Sequence, residues 1–227
     1  DLVIRKGKLV LEISNSASVE LLSRIGGILM LNNASGFRKV YIAAGYTDLQ
    51  RISAKHPPLE EFDPEELESG ITQAQLTVLK ELSWLDNCGN LVFAGPPGLG
   101  KTMVACGLGL QAVNSGYTVC FEKMTNLIRI LDTAETERAA GFRLKNIRKA
   151  QLVIIDEIGY TPISRGQANR FFTFISDTYE TSSIIFTTNK EIVDWAEMMG
   201  DPVLTTAMLD RILTMQSVIL SGENLTG

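Results

Sequence analysis

Asn90-Leu91-Val92-Phe93-Ala94-Gly95-Pro96-Pro97-Gly98-Leu99-Gly100-Lys101-Thr102 is the stretch on which the fold turns. Four apolar residues run into a glycine-rich loop, and the loop opens onto a second apolar run that begins Met103-Val104-Ala105. The pattern G-x-x-x-x-G-K-T over residues 95–102 would arise by chance about once in a hundred chains of this length. A strand before it and a helix after it make accident rarer still. That arrangement aims the backbone N–H groups of residues 98–102 and the positive end of the helix dipole into one phosphate-sized space. Glycine is needed where a side chain would block the approach. Gly95, Pro96, Pro97, Gly98, Leu99, Gly100, Lys101, Thr102 and Met103 are therefore expected to cradle the phosphates of a nucleoside triphosphate. Lys101 would act on the β- and γ-phosphates as a point charge, and the Thr102 hydroxyl would ligate magnesium.

Downstream, short apolar runs alternate with longer helical patterns, the rhythm of β-α units that build a parallel sheet. Strands are predicted at residues 91–94, 117–122, 152–155 and 183–188, and a helix at about 102–115. A further helix is predicted over 167–179, where Ala168, Phe171, Phe172, Ile175 and Tyr179 recur at three- and four-residue spacing; this stripe reads as core.

The run Leu152-Val153-Ile154-Ile155-Asp156-Glu157 delivers two carboxylates at the C-terminal end of an apolar strand, where open α/β sheets place their ligands. Asp156 would complete the magnesium shell, and Glu157 would polarise the water that attacks the γ-phosphate. Asn189, at the end of Ile184-Ile185-Phe186-Thr187-Thr188-Asn189, would bond both the γ-phosphate and that water. Asp156-Glu157-Ile158-Gly159 also fits D-x-x-G, and Asn189-Lys190 resembles the start of the guanine-reading N-K-x-D. Ile192 stands where the guanine-binding aspartate is required, so ATP is the expected nucleotide.

The 227 residues, 45% hydrophobic and 21% charged, suit one domain with a buried core plus an appendage. No apolar run reaches the roughly 18 to 20 residues of a membrane helix, and the first residues lack the apolar core of a secretory signal. A cytoplasmic location without membrane contact is the expectation. Three cysteines without a C-x-x-C pair and a lone His56 support neither a disulfide framework nor a zinc site. A net charge of −5 argues against a strongly basic nucleic-acid binder, yet Arg138, Arg143, Lys145, Arg148 and Lys149 fall within twelve residues that hold no acid. This run is the candidate for salt-sensitive, non-specific contact with DNA, although a solvated helix face explains it as well.

Beyond these motifs, residues 54–222 resemble the IstB-like ATP-binding proteins, relatives of the DnaC-type helicase loaders within the AAA+ class. The resemblance rests on Leu59-Glu60-Glu61-Phe62-Asp63, Asp156-Glu157-Ile158-Gly159-Tyr160, Gly200-Asp201-Pro202-Val203-Leu204 and Leu209-Asp210-Arg211-Ile212-Leu213. It implies an AAA+ type P-loop NTPase: a parallel sheet flanked by helices, without a separate C-terminal lid domain. It also implies a helper ATPase that assembles into an oligomer on duplex DNA and hands target DNA to a cognate transposase. Arg211, in the block that matches the family's Leu-Asp-Arg, would be the finger offered to a neighbouring subunit's site, in the catalytic set with Glu157 and Asn189. Only 38 residues follow Asn189 (227 − 189), in keeping with the expected lack of a lid. A helicase loader of replication is the alternative, and a vestigial fusion that binds nucleotide without turnover is a third reading.

Two departures stand out against the family pattern. Met103 takes the place of a histidine often found after the P-loop threonine, and Gly222-Glu223 is not followed by Ser-Tyr-Arg. The first 53 residues differ in character from the ATPase domain expected over residues 54–227, with His56-Pro57-Pro58 as a linker. Residues 30–51 resemble the opening of a TnpB-type accessory protein and residues 1–29 a TnpA-type tail, as if two insertion elements had fused reading frames. Either piece is expected to form a strand or hairpin docked on the ATPase.

Overall fold

The computed structural model describes residues 71–214, Leu59, and the three short strands Leu2–Lys6, Leu9–Ile13 and Val218–Leu220. The expected domain boundary near residue 53, the linker and the Gly222-Glu223 end lie outside the described residues. Strands β1 (Leu2–Lys6) and β2 (Leu9–Ile13) pair antiparallel, Leu2 opposite Ile13, in a sheet of their own.

From residue 71 the chain alternates as its hydrophobic rhythm requires. Helices α1 (Gln73–Lys80) and α2 (Ser83–Asp86) lead to β3 (Leu91–Ala94), α3 (Lys101–Asn114) and β4 (Val119–Lys123). Helices α4 (Met124–Thr133) and α5 (Arg138–Ile147) precede β5 (Leu152–Ile158), then α6 (Arg165–Thr178) and β6 (Ser183–Thr188). A 3-10 turn (Ile192–Asp194), α7 (Trp195–Met199) and α8 (Pro202–Thr214) lead to β7 (Val218–Leu220).

Five strands form one parallel sheet in the order β4-β5-β6-β3-β7. Successive strand residues point to opposite faces, and the core divides accordingly. Leu91, Phe93, Phe121, Leu152, Ile154 and Ile185 pack with α1, α2 and α3. Val92, Cys120, Val153, Ile155, Ile184 and Phe186 pack with α4 and with α6 to α8. Burial on both faces is why these strands read as continuous apolar runs rather than alternating ones.

Three predicted boundaries shift for physical reasons. Helix α6 starts at Arg165 because Ser164 and Gln167 form a reciprocal capping box. Its stripe is core at Ala168, Phe171 and Ile175, whereas Phe172 is only half-buried and Phe174 fills the interior instead. Strand β4 starts at Val119, since the Tyr117 N–H is taken up by the Ala112 carbonyl at 3.0 Å in closing the end of α3. Strand β5 continues to Ile158 through an irregularity between Ile155 and Ile158.

Two contacts fix the phosphate loop's surroundings. Gly107 on α3 lets Leu59 lie against the helix, for a Cβ there would come within 2.9 Å of the Leu59 Cβ, and the Lys80 ammonium donates to the Leu59 carbonyl at 3.0 Å. Asn90, buried just before β3, accepts from the Ile184 N–H at 2.9 Å and donates to the Ile212 carbonyl at 3.1 Å. One amide thus ties β3 to β6 and α8. Among the described residues no helix is long and apolar enough to cross a membrane.

Truncating Asn90 strands a buried N–H and a buried carbonyl, each costing on the order of 1–3 kcal/mol. Asn90→Ala is expected to lower stability by about 2–4 kcal/mol, read as a lower urea midpoint with an unchanged slope. A midpoint equal to wild type would show that the bridge contributes nothing.

Candidate nucleotide site

Strand β3 ends in a loop whose glycines adopt backbone angles that residues with a side chain rarely take: φ is +95° at Gly98 and +73° at Gly100. A Cβ on Gly98 would meet nothing within 4 Å, so the loop is open at that position. Gly100 is the N-cap of α3 and offers no side-chain acceptor to the first-turn amides, in contrast to Thr72 and Ser164, which cap α1 and α6. Orphan N–H groups at the positive end of a 14-residue helix suit a phosphate as their partner.

The Lys101 ammonium lies back over this loop and donates to the carbonyls of Gly95 at 2.7 Å and Pro96 at 2.6 Å. Burial pulls its pKa below the usual lysine value, and the Asp156 carboxylate opposes that shift. Pro96, Pro97 and Gly98 are exposed, and Leu99 and Thr102 are half-buried. Met103 presents only its backbone to the loop, its side chain being 7% exposed and part of the core under α3.

The two carboxylates of β5 part company at the irregular stretch of the strand. Two residues, Asp156 and Glu157, lie between the paired positions Ile155 and Ile158 on β5, against one, Thr187, between Phe186 and Thr188 on β6, the count of a β-bulge. Asp156 turns inward, 2% exposed, where its Oδ1 accepts from the Thr102 hydroxyl at 2.8 Å and the Thr187 hydroxyl at 2.5 Å. Glu157 takes a left-handed φ of +64°, a cost of roughly 1–3 kcal/mol for a residue with a side chain. The Thr187 hydroxyl holds that bend, accepting from the Glu157 N–H at 3.0 Å. The Glu157 side chain emerges exposed and pairs with the Lys123 ammonium at 2.8 Å.

Strand order brings the remaining group into place. Because β6 lies between β3 and β5, its C-terminal end opens between the phosphate loop and the two carboxylates. The Thr188 carbonyl accepts from the Gly95 N–H at 3.2 Å, and the Thr188 hydroxyl donates to the Ile158 carbonyl at 2.8 Å. Asn189, exposed, follows directly. Two hard oxygen donors, those of Thr102 and Asp156, stand side by side at this edge and fit Mg2+, which takes few protein ligands and keeps most of its waters.

Arg211 lies elsewhere. It borders a small depression with Asn90, Ser182 and Ile184, at the starting edge of the strands, opposite the edge that carries the phosphate loop. Its guanidinium stacks 4.8 Å above the Phe172 ring and donates to the Ala207 carbonyl at 2.9 Å. It is therefore no part of its own chain's nucleotide site. The cationic run also divides: Arg143 turns inward to a 2.5 Å ion pair with buried Glu122, and Arg148 pairs with Asp177 at 2.9 Å. Lys145 and Lys149 border a groove of about 520 Å3 with Arg148, Arg170 and Glu135. Cys106, buried beneath the site, has its thiol pushed up to about 12 by burial and by the nearby Asp156 carboxylate, so it is unreactive.

Thr187 and Lys123 are the site residues that sequence reading misses. Thr187→Val keeps the shape of Thr187 but removes a donor from Asp156 and an acceptor from Glu157. We expect a loss of about 1–3 kcal/mol in stability and at least a tenfold fall in ATP turnover, with Thr187→Ser close to wild type in both. A valine variant with wild-type turnover would show that the hydroxyl does not position the carboxylates.

The family model for the IstB-like ATP-binding protein matches residues 13–225, starting upstream of the expected boundary near residue 53. Over 167 residues the chain is 40% identical to the ATP-binding protein of insertion sequence IS21 from Pseudomonas aeruginosa, covering 73% of this chain and 63% of that relative. It is 37% identical over 155 residues to the corresponding protein of insertion sequence IS5376 from Geobacillus stearothermophilus, covering 68% and 62%. The matched part thus spans less than two thirds of those relatives. Among solved structures, the DnaC helicase loader superposes with a TM-score of 0.56 at 21% identity, covering 72% of this chain and 95% of that one. AMPPCP-bound DnaA from Aquifex aeolicus gives 0.55 at 20%, covering 72% and 49%. At such identities the likeness establishes the fold, an AAA+ type P-loop domain. The breadth of the family match, together with identity of 40% to one relative, places this chain in the IstB-like ATP-binding protein family.

Proposed function

We propose that this protein hydrolyses ATP as the helper of a DNA transposase, working in an oligomer to select or deliver target DNA. The carrying observation is the buried Asp156 carboxylate shared by the Thr102 and Thr187 hydroxyls, with Glu157 bent out beside it. Magnesium, when bound, would rest on Thr102 and Asp156 and supply positive charge at the phosphate oxygens. Lys101 leaves its two loop carbonyls for the β- and γ-phosphates, and the amides that open α3 bind the phosphate oxygens. Glu157 accepts a proton from the attacking water, and Asn189 orients that water against the γ-phosphate.

An oligomer is favoured by the placement of Arg211. It lies at the far edge of its own sheet, so any nucleotide site it served would be another subunit's, where it would stabilise charge on the transferring phosphoryl group. Once Arg143 and Arg148 are paired, exposed Arg138, Lys145 and Lys149 are the cations of the run left for duplex DNA, the two lysines beside the groove between α4, α5 and α6. A transposition role is preferred over helicase loading because several of the chain's relatives are named for insertion sequences. The fold shared with the DnaC helicase loader keeps loading as the second reading.

Turnover measured with and without duplex DNA, in wild type and Glu157→Gln, tests this reading. DNA is expected to stimulate the wild type, and the variant to lose at least a hundredfold in kcat while still binding ATP. Wild-type protein that binds ATP but never turns it over would support nucleotide binding without hydrolysis. Stimulation of strand transfer by a cognate transposase separates the helper from a loader, which would instead bind a replicative helicase.

A further inference from the structure

We propose that the groove between α5 and α6 receives an acidic segment with apolar anchors from the protein that takes over the DNA, and that this segment displaces DNA phosphates from Lys145 and Lys149. The proposal rests on the reading of the chain as a helper that hands DNA to a partner. Helix α4 packs against both α5 and α6, whereas α5 and α6 share no such packing and are bridged by the ion pair of Arg148 with Asp177 at 2.9 Å. A trough of about 520 Å3 is left between them. Leu131 and Ala134 at the end of α4, with Gly141 and Leu144 on α5, give it an apolar lining, of which Ala134 and Leu144 are only half-buried. Glycine is required at 141, since a Cβ there would come within 2.7 Å of the Ala134 carbonyl oxygen, and α5 crosses close to α4 at that point. The trough has room for a few side chains, in the manner of pockets of roughly 300–1,000 Å3 that hold small ligands.

Charge selects the occupant. The chain carries a net charge of −5, yet the groove is lined by Lys145, Arg148, Lys149 and Arg170 against one acid, Glu135. Arg148 and Arg170 are engaged by Asp177 and Asp132 in partly exposed pairs, while Lys145 and Lys149 pair with no carboxylate among the described residues. A duplex would satisfy the two lysines with phosphates, but its backbone buries little of the apolar lining. A peptide that carries both carboxylates and apolar side chains satisfies lining and rim together. Carboxylates and phosphates then compete for the same two ammonium groups, and each ligand weakens the other by the same factor. Seating the partner and loosening the DNA become one event.

The test is the affinity of the full chain for a cognate transposase and for a labelled DNA duplex, in wild type, Thr173→Trp, Thr173→Ala and Glu135→Gln. Thr173 is exposed on the α6 wall of the groove, so an indole there fills the trough without entering the core. Both Thr173 variants should turn over ATP at the wild-type rate, which shows that they fold. Thr173→Trp is expected to weaken transposase binding about tenfold or more, with Thr173→Ala within about twofold of wild type. Glu135→Gln, which removes the one acid of the lining, should tighten it about two- to fivefold. Added transposase should release the duplex from wild type but not from Thr173→Trp. Wild-type affinity for transposase in Thr173→Trp, or weaker binding in Glu135→Gln, overturns the proposal. So does a matching loss of duplex affinity in Thr173→Trp, which would give the groove to DNA, or a smaller oligomer, which would give it to a second copy. A duplex that stays on wild type while transposase is bound overturns the exchange. If wild type binds no transposase at all, the helper reading fails and takes the proposal with it.

Discussion

Asp156 is nearly sealed from solvent, and a carboxylate in that position is costly unless donors surround it. Two hydroxyls meet the need: Thr102 from the first turn of the helix that follows the phosphate loop, and Thr187 from the neighbouring strand. The contact therefore joins α3, β5 and β6 at one oxygen atom. Thr187 then uses its own oxygen to hold the Glu157 N–H, so the strained bend that exposes the second carboxylate depends on the same junction. Removing Thr102 leaves the buried Asp156 short of a donor, and removing Thr187 does the same and also leaves the left-handed Glu157 without its support. Stability and chemistry are coupled at this point.

The sheet order gives that junction its function. With β6 between β3 and β5, the strands that lead to the phosphate loop and to the carboxylates are not neighbours; the end of β6 lies between them and binds to both sides through Thr188. Asn189 leaves the sheet at this gap, where a polarised water would sit between base and phosphate. The opposite edge of the same sheet carries Arg211, secured by Phe172 and the Ala207 carbonyl. The phosphate loop and Arg211 thus lie at opposite edges of one sheet, a placement that the proposed head-to-tail assembly of identical subunits would use.

Much of this was legible along the chain, because the signals are local. The phosphate loop follows from glycine, lysine and threonine at fixed spacing, and the buried strands follow from short runs such as residues 152–155 and 183–188. What escaped depends on adjacency between strands. Thr187 looks like one more β-branched residue until β6 is known to flank β5, and Lys123 looks like a surface lysine until the bulge turns Glu157 toward it. The pairings within the run of five cations escape for a related reason: Glu122, on a different element, takes Arg143 toward the interior, and Asp177 pairs with Arg148. At Met103, helical phase sends the side chain into the core and leaves the backbone to the loop.

The central claim is that Asp156 and Thr102 form the magnesium half of an ATP site. Calorimetric titration of ATP with magnesium and with a chelator, in wild type and Asp156→Asn, addresses it most directly. The account predicts that magnesium tightens ATP binding to wild type at least tenfold, and that the variant loses this gain while its magnesium-free affinity stays near that of wild type. Equal affinity with and without magnesium in wild type, or an undiminished magnesium effect in Asp156→Asn, would contradict it.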